Sequence, residues 1–305
     1  MKLLDNYSPL DLLKRPLTVF NYEVNRMRWQ PELPDPRKKD MARVWAVLRW
    51  LIALSILSFP LVSAFGTMIS VLIIGIIVLG PWVASVIADL YTVSNAVMFW
   101  RTRAQIETLD VLRLTMPNDE ALLDSLRGAT ELMAWRGMRW ETALRAFLPL
   151  CGFVACAAGG IALVASLGQT GSPREMVRFV LGICLIAWLV RLFFMYVREP
   201  LWRMRTLVAM SILIASRTQD TNTGILVASG IAMLLKVVQL TVYVFLIIGT
   251  VSLFGFDRWD RELESAVWLG AGCLVVPGSV RIAYQRLHRW FTRETIRVMQ
   301  GAEHG

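Results

Sequence analysis

Six apolar runs, each about twenty residues or longer, set the limits on what this chain can fold into. They occupy 44–65, 68–88, 143–167, 176–197, 224–254 and 266–284. Crossing a hydrocarbon layer of roughly 30 Å takes about 20 apolar residues in a helix. In lipid every backbone N–H and C=O must be paired within its own segment. The runs therefore predict six transmembrane helices and an all-α, polytopic membrane protein. Composition agrees: 56% of the 305 residues are hydrophobic and 18% are charged, against roughly 25% charged in soluble domains.

The connections between the runs give an orientation, because Arg and Lys collect in cytoplasmic loops. The segment before residue 44, the 101–145 loop, the 198–222 loop and the tail after 284 are all rich in Arg and Lys. The turn at 66–67 carries no charge, 168–175 carries Arg174 alone, and 255–265 has more acids than bases. All the basic connections fall on one side if both termini are cytoplasmic. The net charge of +9 then belongs to the inner face, and nucleic acid is not an expected partner, since no RNA- or DNA-binding module is visible. The chain divides into a cytoplasmic interfacial segment 1–42, a six-span domain 43–285 with a cytoplasmic loop 101–142, and an amphipathic tail 286–305. The expected site is the cell membrane, in a prokaryote the inner or plasma membrane.

Two further segments have the pattern of interfacial helices. Leu17, Phe20, Val24 and Met27 recur at helical spacing before Pro31, Pro34 and Pro36. In the tail, Arg286, Arg289, Arg293 and Arg297 share one face while Leu287, Phe291 and Val298 share another. Both suit helices lying on the inner leaflet with the basic side toward anionic headgroups. The N-terminus is not expected to act as a signal peptide, because Asp5, Pro9 and Asp11 interrupt it. Residues 207–216 are too short to span and are either a lead-in to the fifth run or a surface helix.

Several chemistries lack their residues. None of the five lysines follows a glycine, so there is no GxxxxGK[ST] phosphate loop. The two histidines, His288 and His304, lie in the tail, and GxSxG and HExxH are absent. Cys151, Cys156, Cys184 and Cys273 form no CxxC pair or Cys/His cluster and suit packing positions. No enzymatic activity, cofactor or metal is expected. The polar residues in or near the spans are Asp89, Arg191, Lys236 and Gln239, with Arg49 near the start of the first. A charge at that depth either lines a pathway or snorkels to the interface. Gly152, Cys156 and Gly160 give the third span a close-packing face.

The 101–142 loop is the one long polar stretch between spans. A first helix continuing from the second span is broken near "TMPN", 115–118, because Pro117 disfavours helix at Met116. Asn118 can cap a second helix, with Asp119 and Glu120 at the positive end of its dipole. Leu122, Leu126, Ala129 and Met133 share one face of that helix.

The order of span, helix, Pro turn, amphipathic helix and span resembles the first cytoplasmic loop of the ABC-2 type permeases, the membrane subunits of ABC exporters. The matching stretch is "IETLDVLRLTMPNDEAL", 106–122, and "FNYEVNRMRW", 20–29, resembles the family's N-terminal interfacial helix. Met116 is an insertion, and "DSLRG" stands where the family often has Gly-Lys. The resemblance implies a permease subunit that moves a substrate with energy from a separate cytoplasmic ATPase. It places ATPase coupling at Glu107, Thr115, Pro117, Asn118, Asp119, Glu120, Leu122 and Leu126, with affinity drawn from the exposed part of Leu122 and Leu126. It also implies a homo- or heterodimer of permeases and a membrane-plane lever formed by residues 1–30. The alternative is a non-transporting membrane scaffold that docks another cytoplasmic protein through the same loop.

Overall fold

A computed structural model of the chain describes residues 9–29, 67–105, 118–167, 173–253 and 262–301. The first expected span, 44–65, and residues 106–117 of the expected loop lie outside the described residues, as do residues 168–172 and 254–261. The described chain is all-helical. A 3-10 turn at Pro9–Lys14 leads into α1, Pro16–Trp29. Five long helices follow: α2 Thr67–Gln105, α3 Asp119–Leu167, α4 Pro173–Arg217, α5 Thr221–Leu253 and α6 Glu262–Gly301.

Helix length is the first difference from the sequence expectation. α3 has 49 residues and α4 has 45, or about 74 and 68 Å at 1.5 Å per residue. The amphipathic helix expected after Asn118 does not end before the third apolar run; it continues into it as one helix. Residues 207–216 likewise belong to α4, and the tail from 286 to 301 continues the helix of the sixth run. Pro200 removes one backbone hydrogen bond of α4 without ending it, and each helix continues through its junction. The amphipathic tail therefore lies along α4 rather than forming a separate helix on the leaflet.

Capping residues fix the helix starts. Asn118 Oδ1 accepts the Ala121 N–H at 2.8 Å, as expected of an N-cap. Asp220 Oδ2 accepts the Thr223 N–H at 2.9 Å, so the turn from α4 to α5 is three residues long.

α2 packs on α3, α4 and α5, α3 on α4, and α4 on α6 along much of its length. The core is made by Val93, Val97 and Trp100 of α2, Leu122, Leu126 and Met138 of α3, Met204, Leu207 and Met210 of α4, and Ala228 and Ala232 of α5. The face that α5 turns inward is Gly224, Ala228, Ala232 and Lys236, one residue every four. Three small side chains bring the backbones of α5 and α2 close. A Cβ at Gly224 would lie 2.9 Å from Thr218 Oγ1 and 3.2 Å from Val97 Cγ1. The fourth position then carries the Lys236 ammonium inward.

α1 crosses the first turns of α3. The Asn21 amide donates to Ser125 Oγ at 2.6 Å, and Arg15 pairs with Asp124. Contact is close because position 128 is glycine: a Cβ there would sit 2.8 Å from Thr18 Cγ2. Two segments among the described residues, Trp82–Thr102 and Thr221–Val242, are long and apolar enough to cross a membrane.

Candidate functional site

Five helices converge on a buried cluster of three acids and three bases. Asp89 comes from α2, Glu141 and Arg145 from α3, Glu199 and Arg203 from α4, and Lys236 from α5; each is 5% exposed or less. Tyr284 reaches in from α6. Acid and base stand four residues apart on α3, as "ETALR", and again on α4, as "EPLWR". On a helix that spacing puts both on one face, with the acid N-terminal to the base.

Arg203 is the centre. Its Nε donates to Asp89 Oδ1 at 2.8 Å, its Nη1 to Glu199 at 2.7 Å, and its Nη2 to both Glu141 oxygens at 2.6 Å. Arg145 bridges the same acids from the other side, 2.6 Å from Glu141 and 2.7 Å from Glu199. Lys236 lies 3.2 Å from Asp89 Oδ2 and also donates to Ser85 Oγ. The Tyr284 hydroxyl donates to Glu199 Oε1 at 2.7 Å. Formal charge sums to zero: Asp89, Glu141 and Glu199 against Arg145, Arg203 and Lys236. Burial of six charges is costly, and the cost is offset only when each is paired and hydrogen-bonded; here each acid has at least two such partners.

Pro200 has a local role in this arrangement. A proline inside a helix has no N–H for the carbonyl four residues back. In α4 that carbonyl belongs to Tyr196, and Arg145 Nη1 donates to it at 3.1 Å. The Arg145 guanidinium also lies over the Tyr196 ring, 4.7 Å from its centroid. Proline thus frees an acceptor for a cation of the neighbouring helix.

Of the polar residues singled out from the sequence, the cluster unites Asp89 and Lys236. Lys236 neither snorkels nor stands alone; its charge is neutralised inside the bundle. Gln239 lies half-buried one turn further along α5, and Arg191 is exposed on α4. Glu141, Arg145, Glu199, Arg203 and Tyr284 are not among the residues that the sequence pattern singled out. A signal for four of them was present: two Glu-x-x-x-Arg pairs, both at the basic ends of long apolar runs.

The coupling residues divide. Glu107, Thr115 and Pro117 lie outside the described residues. Asn118 and Glu120 are exposed and Asp119 is partly so. Leu122 and Leu126 are both 0% exposed, which corrects the expectation that they offer a surface. They share a buried face with Ala129 and Met133, so the apolar stripe of this helix serves the protein's own core. What the helix shows to solvent is its capped, acidic end.

Beside the cluster, a cavity of about 630 Å³ lies between α3, α4 and α6. Four arginines line it: Arg127, Arg205, Arg289 and Arg293. Glu120 is the one carboxylate in its wall. His288 also faces it, with Nδ1 3.2 Å from the Arg205 carbonyl oxygen. Burial, with Arg127 and Arg205 nearby, pushes the His288 imidazole down to about 3, so it is neutral at ordinary pH. Among the described residues no His, Cys, Asp and Glu group is arranged to hold a metal ion. No protein-family model, curated protein or solved structure matches the chain.

Proposed function

We propose that this chain is the permease subunit of an ABC-type exporter. It has six spans with both termini cytoplasmic, resides in the cell membrane, and is driven by a separate ATPase that docks at the 106–134 loop. One observation carries the reading: α3 is unbroken from its capped end at Asn118 to Leu167 and passes through the ionic cluster at Glu141 and Arg145. A partner that shifts the Asn118–Glu120 end moves a rigid rod, and the cluster passes that motion to α2, α4 and α5. An outer stripe on α5 also supports a membrane location and a paired permease. Leu226, Leu234, Val237 and Phe245 are 61–74% exposed along it, and such a face needs lipid or a second apolar helix.

A second reading, the non-transporting scaffold, is favoured by the same cluster. Asp89 and Lys236, the candidates for a polar pathway, are bound to each other and to Arg203 and Ser85. A chain that only anchors a partner needs no such residues free.

The test is co-expression with the ATPase of an adjacent reading frame bearing GxxxxGK[ST], followed by co-purification. Glu120→Arg reverses an exposed charge beside the turn and is expected to abolish co-purification without changing thermal stability. Retention of the ATPase by that variant, together with an Asn118→Ala variant, would remove the docking site. Failure of the wild type to retain it would leave the scaffold. Cysteines placed at positions 170 and 260 are expected to be labelled only from outside; labelling from the cytoplasm would invert the topology.

A further inference from the structure

The arginine-lined cavity plays no part in the motion proposed above, yet it has the chemistry of a binding site. Its walls come from three helices, so it exists only in the folded bundle. Its volume of about 630 Å³ falls within the range of small-ligand sites, roughly 300–1,000 Å³. Arg127 is fixed in place: it donates to Asp124 at 2.5 Å and to Thr292 Oγ1 at 3.2 Å, and is 11% exposed. Arg205 stands 3.8 Å from Glu131, the same carboxylate that Arg127 approaches at 3.4 Å. Arg289 and Arg293 are one turn apart on α6 and more exposed. Four guanidiniums and one carboxylate, Glu120, line the wall; Asp124 and Glu131 behind it balance part of the charge of Arg127 and Arg205, while Arg289 and Arg293 are the exposed cations.

Guanidinium forks match the oxygens of phosphate, two donors to two acceptors, better than they match a spherical anion. Trp202 and Tyr284 form the end of the cavity nearest the ionic cluster, and Arg293 and Ile296 lie at the other. We propose that this cavity binds a phosphate-bearing ligand, held by Arg289 and Arg293 against the fixed Arg127 and Arg205. Two sources have that chemistry: the headgroup of an anionic phospholipid and a free phosphorylated solute. The site does not depend on the exporter reading.

The experiment uses the full chain purified in uncharged detergent and two probes, pyrophosphate and dihexanoyl phosphatidylglycerol, with binding followed by calorimetry. Arg289→Glu with Arg293→Glu reverses two wall charges, and neither residue is buried. Loss of these charge-assisted contacts is expected to weaken binding by about tenfold or more. Arg286→Glu with Arg297→Glu makes the same net-charge change on α6 at positions that do not line the cavity and is expected to bind as the wild type does. Pyrophosphate binding that follows this pattern assigns a free phosphorylated ligand. Phosphatidylglycerol binding that follows it, with pyrophosphate silent, assigns a lipid headgroup. Binding of neither probe overturns the proposal. So does equal weakening in both pairs, which would mean a diffuse surface field and no site.

Discussion

Arg203→Met removes the centre of the ionic cluster without emptying its volume. Arg203 is 3% exposed and donates to three carboxylates, with contacts of 2.6–2.8 Å to Asp89, Glu141 and Glu199. Its loss changes the buried charge from zero to minus one. Arg145 and Lys236 remain as the only cations for three acids. Removal of one partner from a buried pair costs about 3–5 kcal/mol, largely because the stranded charge keeps its desolvation penalty. Here the stranded charge is shared among three acids, so the upper end is expected. At about 2–4 °C per kcal/mol for a larger chain, the thermal midpoint in detergent should fall by roughly 10–20 °C. The decisive variant is the double substitution Arg203→Met with Glu199→Gln. It restores neutrality and leaves Glu141 and Asp89 to Arg145 and Lys236. Its midpoint should lie well above that of the single variant, although it removes more hydrogen bonds. A double variant no more stable than Arg203→Met would refute the charge-balance argument and make geometry alone the cause. A single variant within about 2 °C of the wild type would show the cluster to be open to water.

Two further outcomes are expected. Gly128→Ala gains up to about 1 kcal/mol of helix propensity but puts a Cβ 2.8 Å from Thr18 Cγ2. Overpacking of that kind costs about 1–3 kcal/mol, so α1 should loosen; faster amide exchange over residues 18–22 checks it, and unchanged exchange would sink it. His288 is held at about 3 in the fold, against about 6.5 when free, so the folded chain favours the neutral ring. That contribution is whole above pH 6.5 and is lost as pH falls toward 3. The loss at pH 5 is about 2 kcal/mol; burial opposes protonation most, followed by the charges of Arg127, Arg205 and Arg289. His288→Gln should flatten the stability profile between pH 7 and pH 5, as read by thermal unfolding in a pH series; an unchanged slope would assign the acid sensitivity elsewhere.

Part of this architecture is legible in the chain's own pattern. Hydrophobic runs of twenty residues leave little choice but helix, because backbone groups in an apolar setting must pair locally. Asn118 is legible as a cap, since a short side-chain acceptor ahead of an acidic first turn has one common use. Helix ends without such signals are not legible. Residues 134–143 and 198–207 carry charges that suggest an exit from the membrane, yet the one gap in the backbone ladder, at Pro200, does not end the helix, and α3 and α4 run on. The stripe of Leu122 and Leu126 is visible, but periodicity tells only that a face is apolar. It does not tell whether a partner or the chain's own α1 and α4 covers it.

By itself, then, the sequence determined the helical class and the polar breaks, since both follow from interactions a few residues long. The partners of the buried charges were decided by tertiary structure alone. Asp89 and Lys236 are 147 residues apart in the chain, and Glu141 and Arg203 are 62 apart. Whether such charges are stranded, snorkelled or neutralised depends on which helix faces meet. That is set by small residues such as Gly224 and Ala228 bringing backbones together, and by a proline leaving the Tyr196 carbonyl open to Arg145. These are long-range matters of packing, and no window of neighbouring residues contains them.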